Sequence, residues 1–194
     1  MTFLFAINGV PRLVRVAIAM TCVLAFAVSA FATTVRPVTV EQLAQGSSHI
    51  VIATAGGSYS AWDAGHTAIY TYTTFTVTKS LKGWLPSSTI TVKQFGGQVG
   101  NMVSRRIGVS QFTVGEKLVL FLYPSPDADG TLLITGLMQG RFSMKGTGGN
   151  AVVSNGMPQP SPAAPLYEAG APVTQPYRMS LDSLEQRLRN ASCK

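Results

Sequence analysis

Asp63 and His66 stand three residues apart in Trp62-Asp-Ala-Gly-His66, with Tyr59 just upstream. A carboxylate and an imidazole at that spacing support two kinds of chemistry. The acid can orient the ring as a general base, or the pair can supply two metal ligands. The first needs a serine held against the histidine, and a secreted hydrolase centred on Asp63 and His66 is the enzyme reading. The second needs three or four ligands in all. The chain has two His and two Cys, and His49, opening an apolar β-branched run, reads as structural. A third reading breaks no bond. Tyr59, Trp62, Asp63 and His66 lie in GGSYSAWDAGHTA (56–68), a loop by its Gly, Ser and Asp content, where rings with polar tips serve contact. Arg105 and Arg106 follow a second Gly-rich stretch and supply charge suited to carboxylate partners. These six residues form the candidate ligand-binding site. No catalytic residue, metal ligand or cofactor is assigned.

Other chemical signatures are incomplete. Gly108-Val-Ser-Gln-Phe112 only half resembles a nucleophile elbow. Gly96-Gly-Gln-Val-Gly100-Asn101 lacks the Lys-Ser/Thr of a phosphate loop. Asp127-Ala-Asp129-Gly130 stops after two carboxylates and reads as a tight turn rather than a calcium loop.

The ends set the compartment. Arg12 and Arg15 precede the apolar run VAIAMTCVLAFAVSAFA (16–32), which closes on Ala30-Phe31-Ala32. This predicts a secretory signal peptide over residues 1–32 and a mature start at Thr33, with a retained membrane anchor as the alternative. The remaining chain holds 13 Lys and Arg against 8 Asp and Glu. That mild excess is spread thinly, with no basic stripe among aromatics, which argues against nucleic acid. Cys22 leaves with the signal, so Cys193 has no intramolecular partner; it is free or links two chains.

Strands must position the candidate residues. Thr39-Val-Glu-Gln42 is a capping box opening a short helix. HIVIATA (49–55) reads as a buried strand. In IYTYTTFTVTKSLKGW (69–84), alternation puts Ile69, Thr71, Thr73, Phe75 and Val77 on a core face, and Tyr70, Tyr72, Thr74 and Thr76 on an outer face. Lys82-Gly83 then turns the chain, STITVKQF (88–95) follows, and a Gly-punctuated loop runs to about Ser110. EKLVLFLYP (116–124) is apolar on both faces and therefore central. TLLITGLM and GRFSMKG (131–146) make one bent strand or two short ones, and NAVVSN (150–155) a last one. Six prolines between Met157 and Pro176 mark a linker. The final helix, capped by Ser180, has an apolar stripe of Leu181, Leu184 and Leu188.

This order of signals, with SLKG at 80–83 and VGEKLVLFL at 114–122, resembles the netrin-like domain of the tissue inhibitors of metalloproteinases over residues 40–145. It is also similar to secreted bacterial proteins of the same layout. The resemblance implies an OB-type barrel. The inhibitors' zinc-chelating N-terminal Cys has no match here, so their inhibitory residues do not carry over.

The expectation is a mainly β chain: a small five- to six-stranded OB-like barrel with a short N-terminal helix and a C-terminal amphipathic helix, a β-sandwich being the alternative. Residues 1–32 are the signal, 33–156 the barrel, 157–177 a Pro-rich linker and 178–194 the C-terminal helix. The functional expectation is an exported, non-catalytic module that binds a protein, peptide or envelope glycan. The alternatives are the hydrolase and a structural envelope component joined through Cys193 or the last helix.

Overall fold

A computed structural model describes residues 38–106, 108, 109, 111–158 and 176–192. The expected signal segment, most of the Pro-rich stretch and Cys193 lie outside them. The fold is mainly β. Helix α1 (Val40–Gln45) leads into strands β1 (His49–Trp62), β2 (Ile69–Lys82) and β3 (Thr89–Phe95), then the small hairpin β4 (Gly97–Val99) and β5 (Met102–Ser104). Next come β6 (Lys117–Pro124), β7 (Leu132–Ile134), a 3-10 turn (Leu137–Gly140), β8 (Arg141–Lys145), β9 (Val152–Pro158), β10 (Pro176–Ser180) and helix α2 (Leu181–Ser192). Strands β1, β2, β3, β7 and β6 form a ring that closes by β6 pairing back on β1; β8, β9 and β10 extend the sheet from β6. All pairs in the ring are antiparallel except β3 with β7. This is the OB-like ring with flanking helices that the sequence predicts.

The two-sided apolarity of β6 has a simple cause: the strand separates two cores. Leu118, Leu120 and Leu122 point into the ring with Val51, Ala53, Phe75, Ile90 and Val92. Val119 and Phe121 point outward to a second cluster with Ile50, Ile52, Phe142 and Val153, which α1 and α2 cover with Val40, Leu43, Leu181, Leu184 and Leu188. The leucine stripe of α2 thus docks on the chain's own sheet. Arg187 strengthens the contact between the helices, donating to both Glu41 oxygens at 2.7 and 2.9 Å. The capping box of α1 is formed, Thr39 and Gln42 each accepting from the other's amide.

Three differences from the sequence reading have physical reasons. The stretch 56–68 is not all loop, because Ser58–Trp62 find partners along Thr73–Ile69 and continue β1. The Gly56–Gly57 pair absorbs a register shift at that point; a Cβ on Gly56 would sit 3.0 Å from the Thr74 carbonyl oxygen. The glycine-rich stretch after β3 likewise holds the β4–β5 hairpin. The ends of the Pro-rich stretch are strand, Pro176 lying opposite Pro158.

The Lys82-Gly83 turn does more than reverse the chain. Register shifts near Thr78 and Leu81 turn this end of β2 toward the helices, so Lys79 meets Glu185 at 2.7 Å. Lys82 Nζ donates to the carbonyls of Ala44 and Ser47 at 2.6 and 2.7 Å. It places a cation on the open carbonyls at the end of α1. Gly83, at φ 76°, leaves no room for a side chain: a Cβ would fall 2.3 Å from the Ser48 carbonyl oxygen. Replacing Lys82 with Met, which keeps most of the stem, should cost about 1–2 kcal/mol in urea denaturation. No measurable loss would show that the contact contributes nothing to stability.

Candidate functional site

The β1–β2 hairpin tip is built by Asp63. Its Oδ1 accepts from the amides of Thr67 and Ala68 at 2.6 and 3.1 Å, and its Oδ2 from the Thr67 hydroxyl at 2.6 Å. The Thr67 hydroxyl, with the Ala68 amide next, holds the carboxyl below its usual range. His66 adopts φ 53° in this tight turn, and its ring stacks on Trp62 with centroids 5.9 Å apart. Among the described residues, no hydrogen bond joins the His66 ring to Asp63 or to a serine hydroxyl. Asp63 therefore folds the turn rather than orienting an imidazole, and the hydrolase reading gains no geometric support. Nor do three or more His, Cys, Asp or Glu converge as a metal site among those residues.

The mouth of the ring is a second place. Tyr70 pairs with Phe95, so the start of β2 and the end of β3 share one end of the barrel. The β4–β5 hairpin folds back across it. Thr71 Oγ1 donates to the Gly96 carbonyl at 2.8 Å and meets Ser60 Oγ at 3.0 Å. Gly97 (φ 139°) lies so close that a Cβ would sit 2.3 Å from Ser60 Oγ, and the close approach needs glycine. Between the hairpin and the ring lies a cleft of about 500 Å³, lined by Ser58, Thr71, Thr73, Gln94, Arg105 and Arg106 among others. Arg106 lies over the Phe95 ring at 5.7 Å. Neither arginine meets a carboxylate among the described residues.

The outer face of β1–β2–β3 is the third. Tyr59 stacks on Tyr72 with centroids 5.1 Å apart, and Tyr70 packs on Phe95 at 4.7 Å. Lys93, almost fully covered, lies 4.4 Å from the Tyr70 centroid and pairs with Asp127 and Asp129 of the β6–β7 turn. The two aspartates of the sequence's calcium-like motif thus neutralise a lysine. Burial opposes the Lys93 charge, yet the Asp127 and Asp129 hydrogen bonds outweigh it and raise its pKa. Asp129, hydrogen-bonded by the Thr131 hydroxyl, is lowered to about 2.

The six predicted residues therefore occupy three places. Arg105 and Arg106 share the mouth cleft. Trp62, Asp63 and His66 form the hairpin tip and are not in the cleft's lining. Tyr59 lies on the outer face. Comparison with known proteins adds no assignment. No family model and no curated protein matches the chain. Among the described residues, no helix is long and apolar enough to cross a membrane.

The sequence reading missed the polar floor of Ser58, Thr71, Thr73 and Gln94, and also missed Lys93. Alternation along β2 could have flagged the two threonines, since polar residues on a core face point to a wet end of the core. Lys93 carried no local signal, because its partners lie 34 and 36 residues away.

Proposed function

We propose that the protein is an exported, non-catalytic binding module that holds an acidic protein, peptide or envelope glycan at the mouth of its five-stranded ring. One observation carries this reading. Lys79, Lys93, Arg141, Arg187 and Arg189 each have a carboxylate partner within the fold. Arg105 and Arg106, like Lys82, Lys117, Lys145 and Arg178, have none among the described residues, but these two line a polar cleft of about 500 Å³. Guanidinium groups beside amide and hydroxyl donors suit carboxylates. The basic, apolar and small-residue order of residues 12–32 supports export.

The test is binding of polyglutamate and polygalacturonate to the purified protein. Arg105→Ala combined with Arg106→Ala should weaken binding at least about tenfold and leave the melting temperature nearly unchanged, since both side chains are exposed. The affinity of the parent protein should fall steeply with salt. Binding that survives the double substitution, or no binding of either polyanion by the parent, would overturn the reading.

A further inference from the structure

The cross-strand pairing assembles a second surface on the outside of the barrel, which meets the mouth cleft only at Phe95. Tyr59 lies opposite Tyr72, which lies opposite Lys93. In the next row Ala61 lies opposite Tyr70, which lies opposite Phe95. On the other side of the tyrosines, Thr74 lies opposite Thr91. Tyr59 is 62% exposed, yet its ring is held nearly parallel to Tyr72 at an interplanar angle of 16°. Beside the pair lies an open cleft of about 430 Å³, bounded by Tyr59, Ala61 and Tyr72 on one side and by Thr91, Asp129 and Thr131 on the other.

We propose that this face is a platform for a neutral polysaccharide, with one sugar ring stacked on the Tyr59–Tyr72 pair and its hydroxyls directed to Asp129, Thr91 and the Tyr59 hydroxyl. A pyranose presents an apolar C–H face and a rim of hydroxyls. It needs a fixed aromatic plane with oriented oxygens beside it, and both are present here. Pre-ordering of the two rings lowers the entropy lost on binding. Charge selects against other ligands. The Lys93 ammonium is matched by Asp127 and Asp129, so the face does not attract polyanions. The small Ala61 leaves room beside the rings for the edge of a sugar. Asp129 already accepts from Thr131 and Lys93, but carboxylate oxygens have further lone pairs for a sugar hydroxyl.

Affinity electrophoresis of the purified protein through gels containing hydroxyethylcellulose, glucomannan or arabinoxylan tests the proposal. At least one should retard the protein. Tyr59→Ala should weaken that retardation at least about tenfold, while Tyr59→Trp, which keeps a stacking plane, should retain it. Arg105→Ala with Arg106→Ala should leave it unchanged, which separates this platform from the mouth cleft. Melting curves check that each variant is folded. If none of the three polymers retards the protein, or if Tyr59→Ala is retarded as strongly as the parent, the proposal is wrong. It is also overturned if a decaproline peptide, which can stack on tyrosines as well, binds through Tyr59 while the polysaccharides do not.

Discussion

Leu120→Ala is expected to lower the unfolding free energy by about 2–5 kcal/mol, read from the shift of the urea midpoint at unchanged slope. Leu120 is fully buried in the middle of β6. It lies opposite Val51 on one side and Arg141 on the other, and it points into a ring whose strands pair all the way round. A closed wall cannot collapse freely into the space left by three carbons, which favours the upper half of that range. A loss below about 1 kcal/mol would mean that the ring has a looser interior than its pairing implies.

Lys93→Met should cost about 1–2 kcal/mol: it removes two charge-assisted hydrogen bonds, but the carboxylates it leaves behind keep access to water, Asp127 being largely exposed, and the burial of the ammonium is relieved. The substitution keeps most of the stem over Tyr70 and Tyr72 and removes the charge that lets two neighbouring aspartates coexist. Adding Asp127→Asn and Asp129→Asn in the same chain should restore part of the loss. Full additivity of the changes would show that the three groups are not coupled. The pH dependence gives a second reading. The folded pKa of Asp129 lies near 2, below its ordinary 3.8. Its contribution is therefore complete above about pH 4 and disappears as the pH falls from there toward 2. The folded pKa of Lys93 is raised above its ordinary 10.5, so its contribution is complete below that value and is lost as the pH climbs through the folded one. The gap in stability between parent and Lys93→Met should be widest between those limits and narrow at both ends. A gap that stays constant down to pH 2 would separate the acid limb from this cluster.

What could be read from the sequence was what depends on near neighbours along the chain. The Thr39–Gln42 capping box, the alternation of β2 and the two apolar faces of β6 each lie within one element, and each is present. What escaped reading depends on distant partners. Ser58–Trp62 looks like loop by composition, yet it is strand because β2 offers it an edge and Gly56–Gly57 takes up the mismatch. Lys82 looks like a turn residue and instead closes the end of α1. The Asp63–His66 spacing suggested a pair acting together, but Thr67 and Ala68 compete for the carboxylate from one and two residues further on. The candidate residues were gathered by composition, and pairing sent them to three surfaces, because successive strand residues face opposite ways.

The two-faced character of β6 raises a problem of alignment. Most strands are locked in frame because a slip by one residue would drive polar side chains into the core. In β6 the same slip would merely exchange Leu118, Leu120 and Leu122 for Val119 and Phe121, and hydrophobicity alone hardly distinguishes the two frames. Shape does so in part. The polar group just before the strand does the rest. Glu116 Oε1 accepts from both Arg141 and Ser143 on the neighbouring strand. A slip would carry it about 3.3 Å along the sheet and turn it to the opposite face, breaking both contacts at once. An ion pair of modest worth as a stabiliser thereby serves to choose between two otherwise nearly degenerate arrangements of the same apolar residues.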